Sequence, residues 1–162
     1  MRAKEARERF EIAVSRQDED IRLDESMLLI AAESNSSVGV KNYLDMLDSL
    51  AKKYELSINR QSSLGVSASA LSEFIHQTEG FSGNVTNYYA PENSYLNHVL
   101  DVRQGIPISL ALIHICLGKR LGIPVRGINF PGHFLVRYGS EEHVIVDPFS
   151  GRILSEPDCA TL

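Results

Sequence analysis

Gly105-Ile106-Pro107-Ile108-Ser109-Leu110-Ala111-Leu112-Ile113-His114-Ile115-Cys116-Leu117 is the stretch on which the fold turns. It is apolar all round rather than along one stripe, which predicts a helix enclosed on every side. Pro107 suits the first helical position, where its missing N–H is not needed and its fixed φ is already helical. Lys119-Arg120-Leu121-Gly122 supplies the opposite end, with two cations in the last turn and a glycine after it. The spacing therefore predicts a buried central helix over residues 107–121.

Downstream of that helix the period changes from helical to alternating. Ile123 to Phe130, His133 to Tyr138 and His143 to Asp147 read as strands, and Gly139-Ser140-Glu141 as the hairpin loop between the last two. With Tyr138 paired to Glu142, the register places His133 directly opposite Asp147. Opposed residues on one face have Cβ atoms about 4.5–5.5 Å apart, close enough for an imidazole–carboxylate hydrogen bond.

Upstream the chain is helical. Residues from about Lys4 to Ser15 carry Ala6, Phe10, Ala13 and Val14 at helical spacing. Asp24-Glu25 opens a second helix, where carboxylates suit the positive end of the helix dipole. A third, from about Val40 to Tyr54, has Tyr43, Leu44, Leu47, Leu50, Ala51 and Tyr54 on one face. The stretch from Asn59 to Gly65 is a loop, and a helix around Ser67 to Glu79 ends at Gly80. Gly80 to Pro91 is rich in turn residues, and Asn93 or Ser94 caps a short helix through Leu96, Val99 and Leu100 to Arg103, which Gly105 stops. The whole predicts a single α+β domain over residues 1–162: helical over 1–104, the central helix at 107–121, and antiparallel strands over about 124–154.

Composition narrows the function. At 162 residues there is room for one domain with a substantial core. A net charge of -5 argues against a broad nucleic-acid or anionic-membrane surface. No apolar run approaches the ~20 residues of a membrane helix. Two cysteines, Cys116 and Cys159, make no disulfide framework, so a reducing, cytoplasmic setting is expected. No phosphate-binding glycine loop occurs, and His143, His133 and Asp147 lack metal-ligand spacing, so neither cofactor nor metal is expected. His76, His98 and His114 read as lone helical histidines with structural roles.

The arrangement Arg103-x-Gly105, Ala111, Gly122-Ile123-Pro124-Val125-Arg126, Gly132-His133-Phe134 and Asp147-Pro148 resembles the core of transglutaminase-like proteins, which share a papain-like frame. The longer pattern is more specific: Gly80-Phe81-x-Gly83-Asn84, Tyr88 to Leu100, Gly105 to Ala111, and Phe130 to Arg137. It resembles the bacterial SirB-type branch, often associated with tetratricopeptide repeats, and the likeness runs over nearly the whole chain. The resemblance implies a Cys-His-Asp triad with His133 and Asp147 as its second and third members. Counting back from Gly122-Ile123-Pro124 and forward from Arg103-x-Gly105 both put the nucleophile at residue 107, which is proline. Ser109 lies about 200° round the helix from that position and Cys116 about 13.5 Å along it, so neither replaces the nucleophile.

The leading expectation is a non-catalytic domain that holds a protein or peptide in the old substrate groove, with Asn84, Asn93, Arg103 and Phe134 as candidate groove residues; capping and turn-stabilising roles explain the first three as well. The alternative is a hydrolase or transferase that works through His133 and Asp147 without cysteine. On the first expectation that pair is vestigial, and an imidazole–carboxylate bond simply satisfies both groups. Relatives of this type often continue into helical repeats, whereas this chain closes on Cys159-Ala160-Thr161-Leu162, as a short or truncated member would. The sequence identifies no partner and no oligomeric state.

Overall fold

A computed structural model describes residues 1–58, 64–140 and 143–161. The helices are α1 (Ala3–Val14), α2 (Leu23–Ser34), α3 (Val40–Ser57), α4 (Leu64–Glu73), α5 (Leu96–Val102), α6 (Pro107–Leu121) and α7 (Glu156–Ala160). The strands are β1 (Ser82–Gly83), β2 (Gln104–Gly105), β3 (Val125–Phe130), β4 (His133–Tyr138), β5 (Val144–Val146) and β6 (Ile153–Leu154). β3 to β6 form an antiparallel sheet in the order β3-β4-β5-β6, while β1 and β2 pair in parallel. The class is α+β, as the change of period predicts.

α6 lies between the helical layer and the sheet, touching α2, α3 and α5 on one side and β3 and β4 on the other. That position explains its sequence. Leu110, Ala111, Ile113, His114 and Leu117 are all fully buried, and each large aliphatic removed from water contributes about 1.5–3 kcal/mol. Glycine is required where α6 meets the sheet: a Cβ on Gly118 would lie 2.4 Å from a methyl of Val125. One continuous core runs from Ala6 on α1 to Val146 on β5. At the surface Arg7 and Glu33 tie α1 to α2 at 2.6 Å. Gly122, at φ 68, ends α6 as the sequence predicts.

Several expected boundaries differ. The helix expected around Ser67 to Glu79 begins earlier, at Leu64, and widens after Glu73 into a π-helical turn, Phe74–Thr78, closed by Glu79 N–H on Phe74 O at 2.9 Å. Gly80 follows in the left-handed region at φ 75. Of the expected Asn59 to Gly65 loop, residues 59–63 lie outside the described residues. α5 is ended by Arg103 itself, at φ 61, and not by Gly105. Gln104-Gly105 instead pairs with Ser82-Gly83, bringing the segment after α4 alongside the entry to α6.

The β4–β5 register also differs from expectation. Tyr138 pairs with Val144, two residues beyond Glu142, which lies outside the described residues together with Glu141. The loop is longer than a three-residue hairpin: Gly139 takes φ 84 and the Arg137 guanidinium donates to the Ser140 carbonyl. A shift of two keeps every side chain on its expected face but slides Asp147 along the strand, so His133 and Asp147 are not directly opposed.

Candidate functional site

The β3–β4 hairpin turns through Pro131-Gly132, Gly132 at φ 74, and sets its tip against the first turn of α6. Between them lies an open cleft of about 310 Å³, lined by Ile106, Pro107 and Ile108 of the helix entry, Asn129, Phe130, His133 and Phe134 of the hairpin, and Tyr88. The cleft thus brings together three residues singled out in the sequence: Pro107, His133 and Phe134.

Side-chain alternation decides how His133 enters it. Phe134, Val136 and Tyr138 face α6: Val136 and Tyr138 are fully buried in the core, and Phe134 packs against it. His133 has the opposite parity and is exposed, so it meets the cleft at the rim. Among the described residues, no hydrogen bond or ion pair joins His133 to Asp147. The Asp147 carboxylate instead folds its own turn, accepting from Phe149 N–H at 2.9 Å and Ser150 Oγ–H at 2.6 Å.

The alternative nucleophiles are occupied elsewhere. Ser109 is buried, with its hydroxyl accepting from Ile106 N–H and donating to Ile106 O, both at 3.1 Å. Cys116 is buried in α6, and burial, reinforced by the Asp24 carboxylate, pushes its thiol up to about 12. A thiol at that value holds almost no thiolate near neutrality.

Asn84, Asn93 and Arg103 stand outside the cleft lining. Fully buried Asn93 donates to the carbonyls of Asn87 at 2.7 Å and Tyr88 at 3.0 Å, and accepts from Asn84 Nδ2 at 3.0 Å. Asn84 Oδ1 in turn accepts from Asn87 N–H at 2.9 Å. The two amides therefore fix the loop that presents Tyr88. Arg103 lies 4.5 Å above the Phe81 ring and 3.7 Å from Glu79, joining the end of α5 to the segment before β1.

Two of the three histidines that read as lone, His76 and His114, are not. His76, aimed inward by the π-helical turn, and His114, in the middle of α6, face one another with their Nε2 atoms 3.1 Å apart. The protons are determined by the partners. His76 Nδ1 lies 2.9 Å from Phe81 O, which can only accept, so Nδ1 is protonated and Nε2 of the neutral ring accepts. His114 Nε2–H must then donate to it, leaving His114 Nδ1 to accept from Tyr138 O–H at 2.5 Å. Burial, with a contribution from His76, holds His114 well below the usual histidine range. Burial also lowers His76, against the opposing pull of the Phe81 carbonyl and Asp147. Nothing in the sequence marks this pair, because residues 76 and 114 meet only after α4 and α6 have packed. Among the described residues, no group of three or more histidine, cysteine or carboxylate side chains could hold a metal ion. Among the same residues, no helix is long and apolar enough to cross a membrane.

A family model described as the transglutaminase-like superfamily matches residues 41–162. Among curated proteins, the chain is 39% identical to a UPF0162 protein of Xylella fastidiosa over 83% of its own length and 48% of that protein's. It is 37% identical to a UPF0162 protein of Pseudomonas aeruginosa over 86% of its length and 51% of that protein's. It is also 34% identical to human F-box only protein 21, over 57% of this chain and 16% of that one. The chain spans about half the length of these two bacterial relatives. No solved structure matches.

Proposed function

The chain belongs to the transglutaminase-like superfamily, and from that premise we propose that it is a non-catalytic member that binds a protein or peptide at the cleft between α6 and the β3–β4 hairpin. Pro107 carries the proposal. It occupies the nucleophile position at the helix entry, where a dipole would favour a thiolate, and it offers no reacting atom. The remaining geometry supports the same reading. His133 stands at the rim, Asp147 is bound to its own turn, Ser109 caps α6, and Cys116 is sealed in the core.

The cleft keeps the surface of a binding site. Ile108 is 50% exposed beside it, and Tyr89 is 94% exposed next to the cleft residue Tyr88. Aromatic and aliphatic groups held open in this way favour a macromolecular contact. That a related segment makes up 16% of human F-box only protein 21 supports a module reused within larger chains. We assign the chain further to the SirB-type bacterial branch, with residues 1–162 as the unit, acting in the cytoplasm. The motif pattern, the bacterial relatives and the two free cysteines support that assignment.

The test compares wild type, Pro107→Cys and His133→Ala for amide hydrolysis and amine transfer over a broad peptide panel, with binding of the same peptides followed by fluorescence anisotropy. Saturable binding without turnover by the wild type is expected. Wild-type turnover that disappears in His133→Ala would make the protein a cysteine-independent hydrolase or transferase.

A further inference from the structure

β3 is a terminal strand of its sheet, and its outer side is open. Phe130 and His133 close a two-residue hairpin and so exchange hydrogen bonds with one another. Alternation then points the N–H and C=O of Arg126 and Ile128 towards β4, and those of Val125, Gly127 and Asn129 outward. The bond from Gly139 N–H to Pro124 O, at 2.8 Å, obeys the same alternation. Gly127 and Asn129 are exposed, and no backbone group of Val125, Gly127 or Asn129 has a hydrogen-bond partner outside the sheet among the described residues. Sheets commonly blunt such an edge with proline, lysine or a bulge. β3 has none of these over six residues, only Arg126.

α6 runs beside this edge, and the surface it turns that way is apolar. Ile108, Leu112 and Ile115 recur at helical spacing, all incompletely buried although the other residues from Ser109 to Gly118 are enclosed. A Cβ on Gly127 would lie 3.9 Å from Ile115 Cδ1, so the stripe abuts the middle of β3. Depressions lie at both ends. The cleft of about 310 Å³ is bounded by Ile108 and by Asn129. A wider one, of about 780 Å³, is bounded by Ile115 and Lys119 on α6, Val125 on β3, and Ile21 and Leu23 from the segment before α2. The geometry is that of a sheet one strand short of covering its helix.

We propose that the open edge of β3 takes up an extended segment of another polypeptide as a fifth strand, with three aliphatic side chains at alternate positions lying on the Ile108–Leu112–Ile115 stripe. The proposal rests on the binding-module reading and specifies the ligand for it. Asn129 and Val125 are four residues apart, about 13 Å along a strand, which sets the length at five to seven residues. Backbone pairing supplies affinity, and the two depressions select the side chains at alternate positions. Charge selects an uncharged residue at the wider depression. Asp18 and Glu19 line it together with Lys119 and Arg126, so a charge of either sign meets one of its own kind. A second copy of the chain is a poor occupant, because the residues its β3 would turn onto the stripe are Val125, Gly127 and Asn129, which cannot fill apolar depressions.

The test uses fluorescein-labelled heptapeptides alternating valine with serine or threonine, against peptides of the same composition with the valines grouped. Saturable anisotropy is expected for the alternating peptides alone, at concentrations below about 1 mM. Asn129→Pro removes one outward N–H and leaves the β4 ladder intact, and it should weaken binding at least tenfold. Ile115→Glu should do the same. N-methylation of the peptide should weaken binding at one alternate set of residues and be silent at the other, a readout on the wild type that needs no variant to fold. Equal binding of both peptide types, or indifference to Asn129→Pro and to N-methylation at either set, overturns the fifth strand while leaving a cleft-binding module standing. No binding of any alternating peptide by 1 mM overturns it as well. So does a wild-type dimer in sedimentation that Asn129→Pro dissolves, which would give the edge to a second copy.

Discussion

The neutral His76–His114–Tyr138 chain makes stability depend on pH in a way that can be worked out beforehand. His114 is fully buried, its Nδ1 accepts from Tyr138, and its Nε2–H is committed to His76. A second proton on His76 would set its Nε2–H against that of His114 across 3.1 Å, and one on His114 would set an Nδ1–H against the hydroxyl proton that Tyr138 donates. The folded state therefore stays neutral at His114 well below 6.5, whereas the unfolded chain takes up a proton there near that value. The sign follows. Above about pH 7 both states are neutral and the group contributes nothing. As pH falls through 6.5 the unfolded state alone gains the proton, so stability is lost, and the loss levels off only below the depressed folded value. The limiting slope for one such proton is about 1.4 kcal/mol per pH unit, accumulating to at most roughly 2 kcal/mol between pH 7 and pH 5. His76, partly accessible and drawn the other way by Asp147, adds less. The assay is urea unfolding by circular dichroism from pH 8 to pH 5, for wild type and for His114→Gln. The variant is less stable at pH 8 because it breaks the chain, but its loss between pH 7 and pH 5 should be smaller by that amount. Parallel pH profiles for the two proteins would refute the neutral chain.

Asn93→Ala removes two donors and an acceptor from a fully buried site, leaving the carbonyls of Asn87 and Tyr88 short of partners; a loss of about 2–3 kcal/mol is expected in the same unfolding assay. Gly151→Ala places a Cβ 2.5 Å from the His76 ring at a backbone φ of 74, so it should lower stability by at least about 1 kcal/mol and flatten the pH profile by displacing His76. Pro107→Cys places a thiol at the helix entry, but with His133 at the rim and Asp147 held in its turn, any amide hydrolysis it gains should be weak; strong His133-dependent turnover would show a working triad geometry.

Much of the site's frame was legible because it is local. Pro107 at a helix entry, Gly122 at the exit and His133 at a strand start each follow from the residues within a turn or two. The relation between His133 and Asp147 was not, because it depends on a loop length between β4 and β5 that alternating residues alone do not specify: two residues of slip leave the hydrophobic pattern unchanged. Asn84 and Asn93 read equally as groove residues or as turn-stabilising ones, and their bonds hold the loop under Tyr88.

The sequence by itself determined the α+β class and the enclosed central helix, since periodicity is a property of neighbouring positions. Only the tertiary structure decided that His76 and His114 form one hydrogen-bonded chain with Tyr138, and that β3 leaves its outer edge open beside an apolar stripe of α6. Residues 38 positions apart meet, and an edge strand exists, only once the helices and the sheet have chosen their neighbours. That choice is made by the burial of whole faces, which no short stretch of the chain encodes.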